Sequence, residues 1–240
     1  MSPMSSAPRP PTETRGASSV EPRLRADAQR NRDQLLLAAR DVFVDQGADA
    51  PLDEIARRAG VGVATLYRRF PDRQALARAV AFDVLRRVAD EASLALIEEP
   101  DAFQALARYM RRALALRIGA VMPVLVGDSL LRDTDVVRIR EELTDLVQKM
   151  IDLARAEGTL RSDVTFGDIG LSIIRLSRPL PGWFPPALDD SLAQRHLDLL
   201  IDGLRSVRVS AQPLSGPALS LADLRDVSSE RSTPTSTRSA

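Results

Sequence analysis

Apolar and polar positions follow a helical period through most of the chain. Between about residues 25 and 208, apolar side chains recur every three to four residues, and no stretch alternates between apolar and polar over the length of a strand. Gly47, Gly60, Pro100, Gly119 and Gly158 interrupt the pattern, as does a proline-containing loop at 179–186. The pattern predicts an all-α fold, with helices at about 26–46, 51–59, 63–70, 72–97, 101–118, 121–131, 134–156, 166–178 and 190–207.

The second and third predicted helices are short and lie on either side of a glycine-containing turn. Pro51 suits the first position of the second helix, because the fixed φ angle of proline matches a helix and its missing N–H is not needed there. Gly60 marks the end of this helix and the start of the turn. In the third helix, Val63, Leu66 and Phe70 are expected to face inward. Two such helices around a turn of about three residues predict a helix-turn-helix.

The outward face of the third helix carries side chains of the kind that contact DNA. Small residues near its N-terminus allow close approach, and longer hydrogen-bond donors follow: Ala64, Thr65, Tyr67, Arg68 and Arg69. In the major groove, guanine presents two acceptors to arginine, and phosphates flank the groove. Asp72 is a natural N-cap for the next helix, which places Arg73 where backbone amides also attract a phosphate. A merely solvated, arginine-bearing helix has the same pattern, so the spacing alone leaves both interpretations open.

Charge is unevenly distributed along a chain whose formal net charge is zero. Residues 23–80 contain 11 arginines and 8 acidic residues, a net charge of +3, whereas residues 81–209 contain 17 basic and 20 acidic residues, a net charge of −3. A positive N-terminal part suits a polyanionic partner. The two ends, 1–24 and 209–240, are rich in proline and serine and poor in periodic apolar residues, which predicts disordered tails.

The reactive side chains of the chain do not favour catalysis. It has no cysteine, a single histidine (His196), no glycine-rich phosphate loop and no paired histidines. We therefore expect no enzyme activity, no cofactor and no metal site. The lack of cysteine, of an apolar run of roughly 20 residues and of a signal-peptide pattern predicts a cytoplasmic protein that does not enter a membrane. A helical scaffold or protein-interaction module stays open as the alternative to DNA binding.

About a fifth of the chain resembles the DNA-binding domain of TetR-family transcriptional regulators. The resemblance runs from Arg32 to Leu76 and rests on the motifs IAxxAGV at 55–61 and TLYxxF at 65–70, followed in register by a basic residue and a leucine. It implies a homodimeric regulator, typically a repressor, that leaves a pseudo-palindromic double-stranded DNA operator when a small-molecule effector binds. By the same resemblance, Thr65, Tyr67, Arg69 and Arg73 contact the phosphate backbone, and Val63, Ala64, Thr65 and Arg68 face base edges.

The resemblance also implies a DNA-binding domain at 25–78 and a helical ligand-binding and dimerisation domain at 79–208. The last two long helices would form the dimer through apolar stripes that contain Leu171, Ile174, Leu197, Leu200, Ile201 and Leu204. A ligand cavity would lie among the middle helices, although large apolar side chains at helical spacing more often belong to an ordinary core. The candidate walls of this cavity are Phe82, Phe103, Leu106, Tyr109, Met110, Met122, Leu125, Val147, Met150 and Trp183.

Overall fold

The computed structural model describes residues 20–47, 49–125, 133–180, 185–206 and 214–224. These residues form nine helices of seven residues or more and no strand, apart from one isolated antiparallel bridge between Leu160 and Arg205. The all-α fold predicted from the sequence is confirmed. In chain order the helices are α1 (Val20–Gln46), α2 (Leu52–Arg58), α3 (Val63–Arg69), α4 (Arg73–Glu98), α5 (Ala102–Ala115), α6 (Ile118–Leu125), α7 (Thr134–Ala156), α8 (Phe166–Leu176) and α9 (Pro186–Leu204).

Buried apolar side chains of α1, α2, α3 and the first turns of α4 form the N-terminal end of the apolar core. Phe43 of α1, Ile55 of α2, Leu66 of α3 and Leu76 of α4 are among its fully buried side chains. Helices as short as α2 and α3 are not stable alone, because a single turn or two cannot offset the cost of starting a helix. Their orientation is therefore set by this shared core.

α1 begins six residues earlier than the sequence predicted. It starts at Val20 rather than at Ala26, so the predicted disordered tail at 1–24 is wrong for its last five residues. The segment 20–29 is rich in Glu, Arg, Leu, Ala and Gln, which favour helix, and Pro22 falls in the first turn, where proline is tolerated. Apolar periodicity missed this part of the helix because the segment has too few apolar residues to form a continuous face.

α4 is the central helix and connects the N-terminal helices to the rest of the chain. It packs against α1, α5, α6 and α7 and buries an alanine- and valine-rich stripe along its length. Near its start, Arg78 pairs with Asp133, which caps α7, and with Asp135 in the first turn of α7. A displacement of α4 would therefore change the packing both of the N-terminal helices and of α5, α6 and α7.

Gly119 lies inside α6 rather than between two helices, so the predicted break at this residue is wrong. The chain turns instead at Arg117, whose φ angle is +50°. A Cβ atom on Gly119 would lie 2.4 Å from the Cα of Ile174 in α8, far closer than van der Waals contact. The glycine is required by the close approach of α6 to α8. Since α6 also packs against α1, it links α8 to the N-terminal helices.

Part of the C-terminal tail returns to the start of α8. The N–H of Gly167 donates a hydrogen bond to the carbonyl of Leu219 at 3.0 Å, and the N–H of Leu214 donates to Asp163 Oδ2 at 3.1 Å. A Cβ atom on Gly167 would lie 2.4 Å from the Leu219 oxygen. The predicted disordered tail at 209–240 is therefore wrong for residues 214–224. Local composition could not reveal a contact between segments about 50 residues apart.

The other helix boundaries differ from the prediction by a few residues. α9 begins with Pro186, four residues earlier than predicted, which places a proline at a helix start where its φ angle fits. α6 is described as far as Leu125, and the remainder of the helix predicted at 121–131, residues 126–131, lies outside the described residues. No helix in the described part of the chain is both long and apolar enough to cross a membrane. The division of the chain at about residue 78 stays a prediction.

Candidate nucleic-acid interface

α2 and α3 form the predicted helix-turn-helix. Pro51 is the N-cap of α2, with an extended backbone (φ −61°, ψ 131°), so it stands one residue before the helix rather than at its first position. Gly60 adopts a φ angle of +67° in the turn, a conformation that strongly favours glycine. Gly62 precedes α3 as its N-cap and supplies no side-chain hydrogen bond. The turn is thus defined by the backbone conformation of its glycine and by the burial of the two helices.

α3 turns one face into the core and the other to solvent. Leu66 and Phe70 are buried as predicted. Val63 was also expected to face inward, but 37% of its surface is exposed, because it lies in the first turn beyond the reach of the core. Tyr67 is 48% exposed. The outward face carries the predicted set, with Thr65 half-buried and Ala64, Arg68 and Arg69 exposed.

The two arginines of α2 are neutralised by nearby carboxylates. Glu54 accepts hydrogen bonds from Arg57 at 2.8 Å and from Arg58 at 2.9 Å, and Arg58 also bonds to Asp45 of α1 at 2.9 Å. The hydrogen bonds from Arg57 and then Arg58 lower the pKa of Glu54 from 4.5 to about 2. Glu54 is therefore ionised at neutral pH and offsets one of the two positive charges.

The arginines of α3 are in a different situation. Arg68 and Arg69 are exposed, and neither forms a salt bridge with any residue that the structure describes. Both occupy the last turn of a helix, where a cation is favoured by the helix dipole. These two guanidinium groups can therefore bind an external anion or hydrogen-bond acceptor without the free-energy cost of breaking an intramolecular ion pair.

Asp72 and Arg73 join the helix-turn-helix to α4. Asp72 is the predicted N-cap of α4, and its carboxylate accepts a hydrogen bond from the N–H of Ala75 at 2.7 Å. Arg73 is half-buried, and its Nη1 donates to the carbonyl of Ala50, just before α2, at 2.5 Å. Arg73 therefore holds the start of α4 against the loop that precedes α2. This positioning role has no local signature in the sequence, and the contact of Arg73 with phosphate stays a prediction.

The predicted cavity walls belong to the apolar core of the larger group of helices. The ring of Phe103 is covered by the guanidinium of Arg205, whose central carbon lies 4.5 Å from the ring centroid. Burial also raises the pKa of Tyr109 above its usual value. Among the other candidates, Leu106, Met110, Val147 and Met150 are buried, Phe82 and Met122 are half-buried, and Trp183 and the side chain of Leu125 lie outside the described residues.

Two open pockets lie at the junction between the N-terminal helices and the rest of the chain, and none of the predicted walls that the structure describes lines either of them. One has a volume of about 480 Å³ and lies between α1, α2, the end of α5 and the facing parts of α8 and α9. The other has a volume of about 380 Å³ and lies between α1, α4 and the last turn of α5. No local sequence pattern marks these pockets, because their walls come from helices far apart in the chain.

The surface that α9 offers to a second protomer differs from the predicted stripe. Leu197, Ile201 and Leu204 are buried within the protomer, where they contribute to its core. Among the described side chains of α9, the large apolar ones left exposed are Leu188, at 46%, and Leu199, at 62%. They are spaced eleven residues apart, three turns of a helix, and so share one face. This face is available to a partner. The other three residues of the predicted stripe, Leu171, Ile174 and Leu200, are half-buried.

Comparison with known proteins identifies the family. Residues 35–80 match the family model described as bacterial regulatory proteins of the tetR family, and residues 101–206 match the C-terminal domain of SbtR-like transcriptional regulators. Together these matches span well over half of the chain. The comparison with curated proteins gave no match.

Solved structures agree with this result. The TetR transcriptional regulator SCO0520 from Streptomyces coelicolor is 33% identical over 73% of this chain and 99% of its own, with a TM-score of 0.54. A TetR regulatory protein from Mycobacterium vanbaalenii is 35% identical over 76% of this chain and 99% of its own, with a TM-score of 0.50. LfrR from Mycobacterium smegmatis, solved in complex with proflavine, shares the fold at 22% identity, with a TM-score of 0.52 over 72% of this chain and 96% of its own.

The chain belongs to the TetR family. It is a DNA-binding transcriptional regulator with an N-terminal helix-turn-helix and a C-terminal helical domain, and members of this family regulate transcription rather than catalyse a reaction. Members of the family bind DNA operators, form dimers and bind small-molecule ligands.

Proposed function

We propose that this regulator is a repressor that binds a pseudo-palindromic operator as a homodimer and leaves it when a small molecule binds. The outward face of α3 carries the proposal, because Arg68 and Arg69 are exposed there without a salt bridge to any described residue. A helical scaffold has no need of two unpaired cations on one short helix. A helix that binds an operator does need them, because DNA offers both phosphates and guanine acceptors.

Each side chain of this face has a proposed role. Near the start of α3, Val63, Ala64 and Thr65 allow the helix to approach base edges, and Arg68 reaches acceptors on a guanine. The phosphate contacts come from Tyr67 and Arg69, with Thr65 and Arg73 adding to them. Phosphate contacts fix the position of the helix and supply salt-dependent affinity, whereas base contacts supply sequence preference.

Release from the operator is proposed to follow from a change in the spacing of the two recognition helices. Successive major grooves on one side of the duplex are roughly 34–36 Å apart, so a dimer that holds its two copies of α3 at that distance engages both half-sites. A ligand that favours a different spacing shifts the population towards dimers that engage only one half-site. A ligand lodged among Tyr109, Met110 and Met150 would have to separate α5 from α7, because these side chains are packed in the core.

Selection of bound duplexes from random DNA tests the first part of the proposal. Purified protein is incubated with a random pool at about 50 mM and about 200 mM salt, and the retained duplexes are sequenced. We expect an enriched inverted repeat and binding that weakens steeply with salt, since each neutralised phosphate releases counterions. Protein that enriches no sequence, both as purified and after unfolding and refolding to remove a carried-over ligand, would support a scaffold and refute operator binding.

Release is tested on the selected operator. Small organic molecules are titrated into a preformed protein–operator complex, and the bound fraction is followed by fluorescence anisotropy. A change from 99% to 1% occupancy of the DNA-binding state needs a ligand preference of about 5.5 kcal/mol, so an effective ligand gives a large signal. A reporter gene placed behind the operator then distinguishes repression from activation. Transcription that falls when the regulator is removed would contradict the repressor assignment.

A further inference from the structure

The smaller of the two pockets opens between the N-terminal helices and the helices that follow. It has a volume of about 380 Å³, within the range of small-molecule sites. Leu37 of α1, Val84 of α4 and Leu116 at the end of α5 give it an apolar surface. Leu37 is 51% exposed, which is unusual for a large apolar side chain next to a core. The pocket therefore offers an apolar patch at the junction, in which Leu37 is exposed while Val84 and Leu116 are largely buried.

Three arginines lie around this patch, and two of them already have carboxylate partners. Arg40 bonds to Asp41 through Nε at 3.0 Å and through Nη2 at 2.9 Å. Arg87 bonds to Asp83 at 2.7 Å and lies 3.8 Å from Asp33. These two cations are largely compensated within the protein and do not require a ligand.

The third arginine, Arg112 in the last turn of α5, is not compensated. It forms no salt bridge with any residue in the described ranges, and its Nε atom is buried without a hydrogen-bond partner. A buried donor that has lost water and gained no partner is unfavourable, and such groups are few in folded proteins. Arg112 also lines the pocket, so an acid group bound there would supply the countercharge that no described carboxylate provides.

We propose that this pocket binds a small organic anion, with its acid group on Arg112 and its apolar part on Leu37, Val84 and Leu116. A guanidinium group binds a carboxylate or a phosphate through parallel hydrogen bonds, which suits an acid at this end of the pocket. The larger pocket is less suited to an anion, because its arginines are paired, Arg117 with Asp190 at 2.5 Å and Arg58 with Asp45 at 2.9 Å.

The position of the pocket connects its occupancy to DNA binding. Its walls belong to α1, which packs beneath the helix-turn-helix, and to α4 and α5, which belong to the helices that follow. An anion between them fixes the distance of α1 from α5 and so biases the orientation of α3. This regulatory consequence rests on the proposed operator binding, whereas the binding of the anion does not.

Direct binding to the whole protein without DNA tests the site. The probe is 4-phenylbutyrate, a carboxylate with a compact apolar part, and its neutral counterpart is 4-phenylbutyramide. Dissociation constants are measured by calorimetry for the wild type, for Arg112→Gln and for Arg111→Gln. Arg111 is the matched control, because it neighbours Arg112 on α5, is exposed and pairs with Asp198 outside the pocket.

We expect the wild type and Arg111→Gln to bind the carboxylate at least tenfold more tightly than the amide, and Arg112→Gln to lose this preference. Equal binding of the two compounds, or an unchanged preference in Arg112→Gln, would overturn the proposal. Leu37→Asp is a second variant at an exposed position, and its added negative charge should also weaken binding of the carboxylate without unfolding the protein.

A second measurement separates the site from the regulation. The carboxylate is added to the protein–operator complex of the wild type and of Arg112→Gln. Loss of DNA affinity in the wild type alone supports the regulatory consequence. Carboxylate binding with unchanged DNA affinity overturns the regulatory consequence and leaves the site intact. Carboxylate binding by a protein that enriches no operator refutes the proposed function and again leaves the site intact.

Discussion

The replacement Gly119→Ala tests the contact between α6 and α8 most sharply. The added Cβ would lie 2.4 Å from Ile174 Cα, whereas ordinary contacts begin at 3.4 Å, so α6 and α8 must separate by about 1.0 Å. Overpacking of this kind costs about 1–3 kcal/mol. Alanine in a helix gains about 0.5–1 kcal/mol over glycine, which offsets part of the loss. We therefore expect a net destabilisation of about 1–2 kcal/mol, or a fall in Tm of about 2–8 °C.

Gly170→Ala is the matched control. Gly170 lies inside α8, and a Cβ there would meet only the ring of Phe166 at 3.7 Å, an ordinary contact. This variant gains the same helix preference without the steric cost, so its Tm should equal or exceed that of the wild type. Thermal unfolding followed by circular dichroism compares the three proteins. If Gly119→Ala is as stable as Gly170→Ala, glycine is not required for the packing of α6 on α8.

Three further predictions concern other parts of the molecule. Glu54→Gln should make the Tm less sensitive to acid than that of the wild type. The pKa of Glu54 is lowered in the folded state, so its ionised form stabilises the fold above pH 4.5, and this contribution is lost as the pH falls towards 2. Identical profiles of Tm against pH in the two proteins would contradict this. Leu199→Asp should weaken the dimer by roughly tenfold or more in light scattering, since a carboxylate is costly to bury, and Leu153→Asp, on an exposed position of α7, should not. Gly167→Ala should expel residues 214–224 from α8 and speed their hydrogen exchange relative to Gly170→Ala; equal exchange would show that the segment is held by other contacts.

The helix-turn-helix was the most readable part of the sequence, because its signals are local. Gly60 is needed where the backbone takes a positive φ angle, and Asp72 caps α4 through its own carboxylate. Such positions can be recognised from residue type and spacing alone. The helical period of apolar residues correctly predicted the buried and exposed faces of α3, except at Val63, which lies in the first turn beyond the core.

Features that depend on contacts between distant segments could not be predicted. The sequence alone does not show whether Gly119 ends a helix or lies inside a helix where a neighbouring helix packs closely. Only the position of Ile174 distinguishes the two cases. Leu197 has the spacing of an interface residue but packs inside the protomer. The unpaired state of Arg112 likewise depends on which carboxylates the fold brings near it.

The central claim, that α3 reads an operator, is tested most directly by comparing operator and unrelated duplexes. Affinities are measured at several salt concentrations for the wild type, Arg68→Ala, Arg69→Ala and the control Arg138→Ala, which removes an exposed arginine from α7. We predict that Arg68→Ala loses about 1–3 kcal/mol on the operator and little on unrelated DNA. Arg69→Ala should weaken both and lower the salt slope by about 1. If both variants bind like Arg138→Ala, α3 does not contact DNA as described.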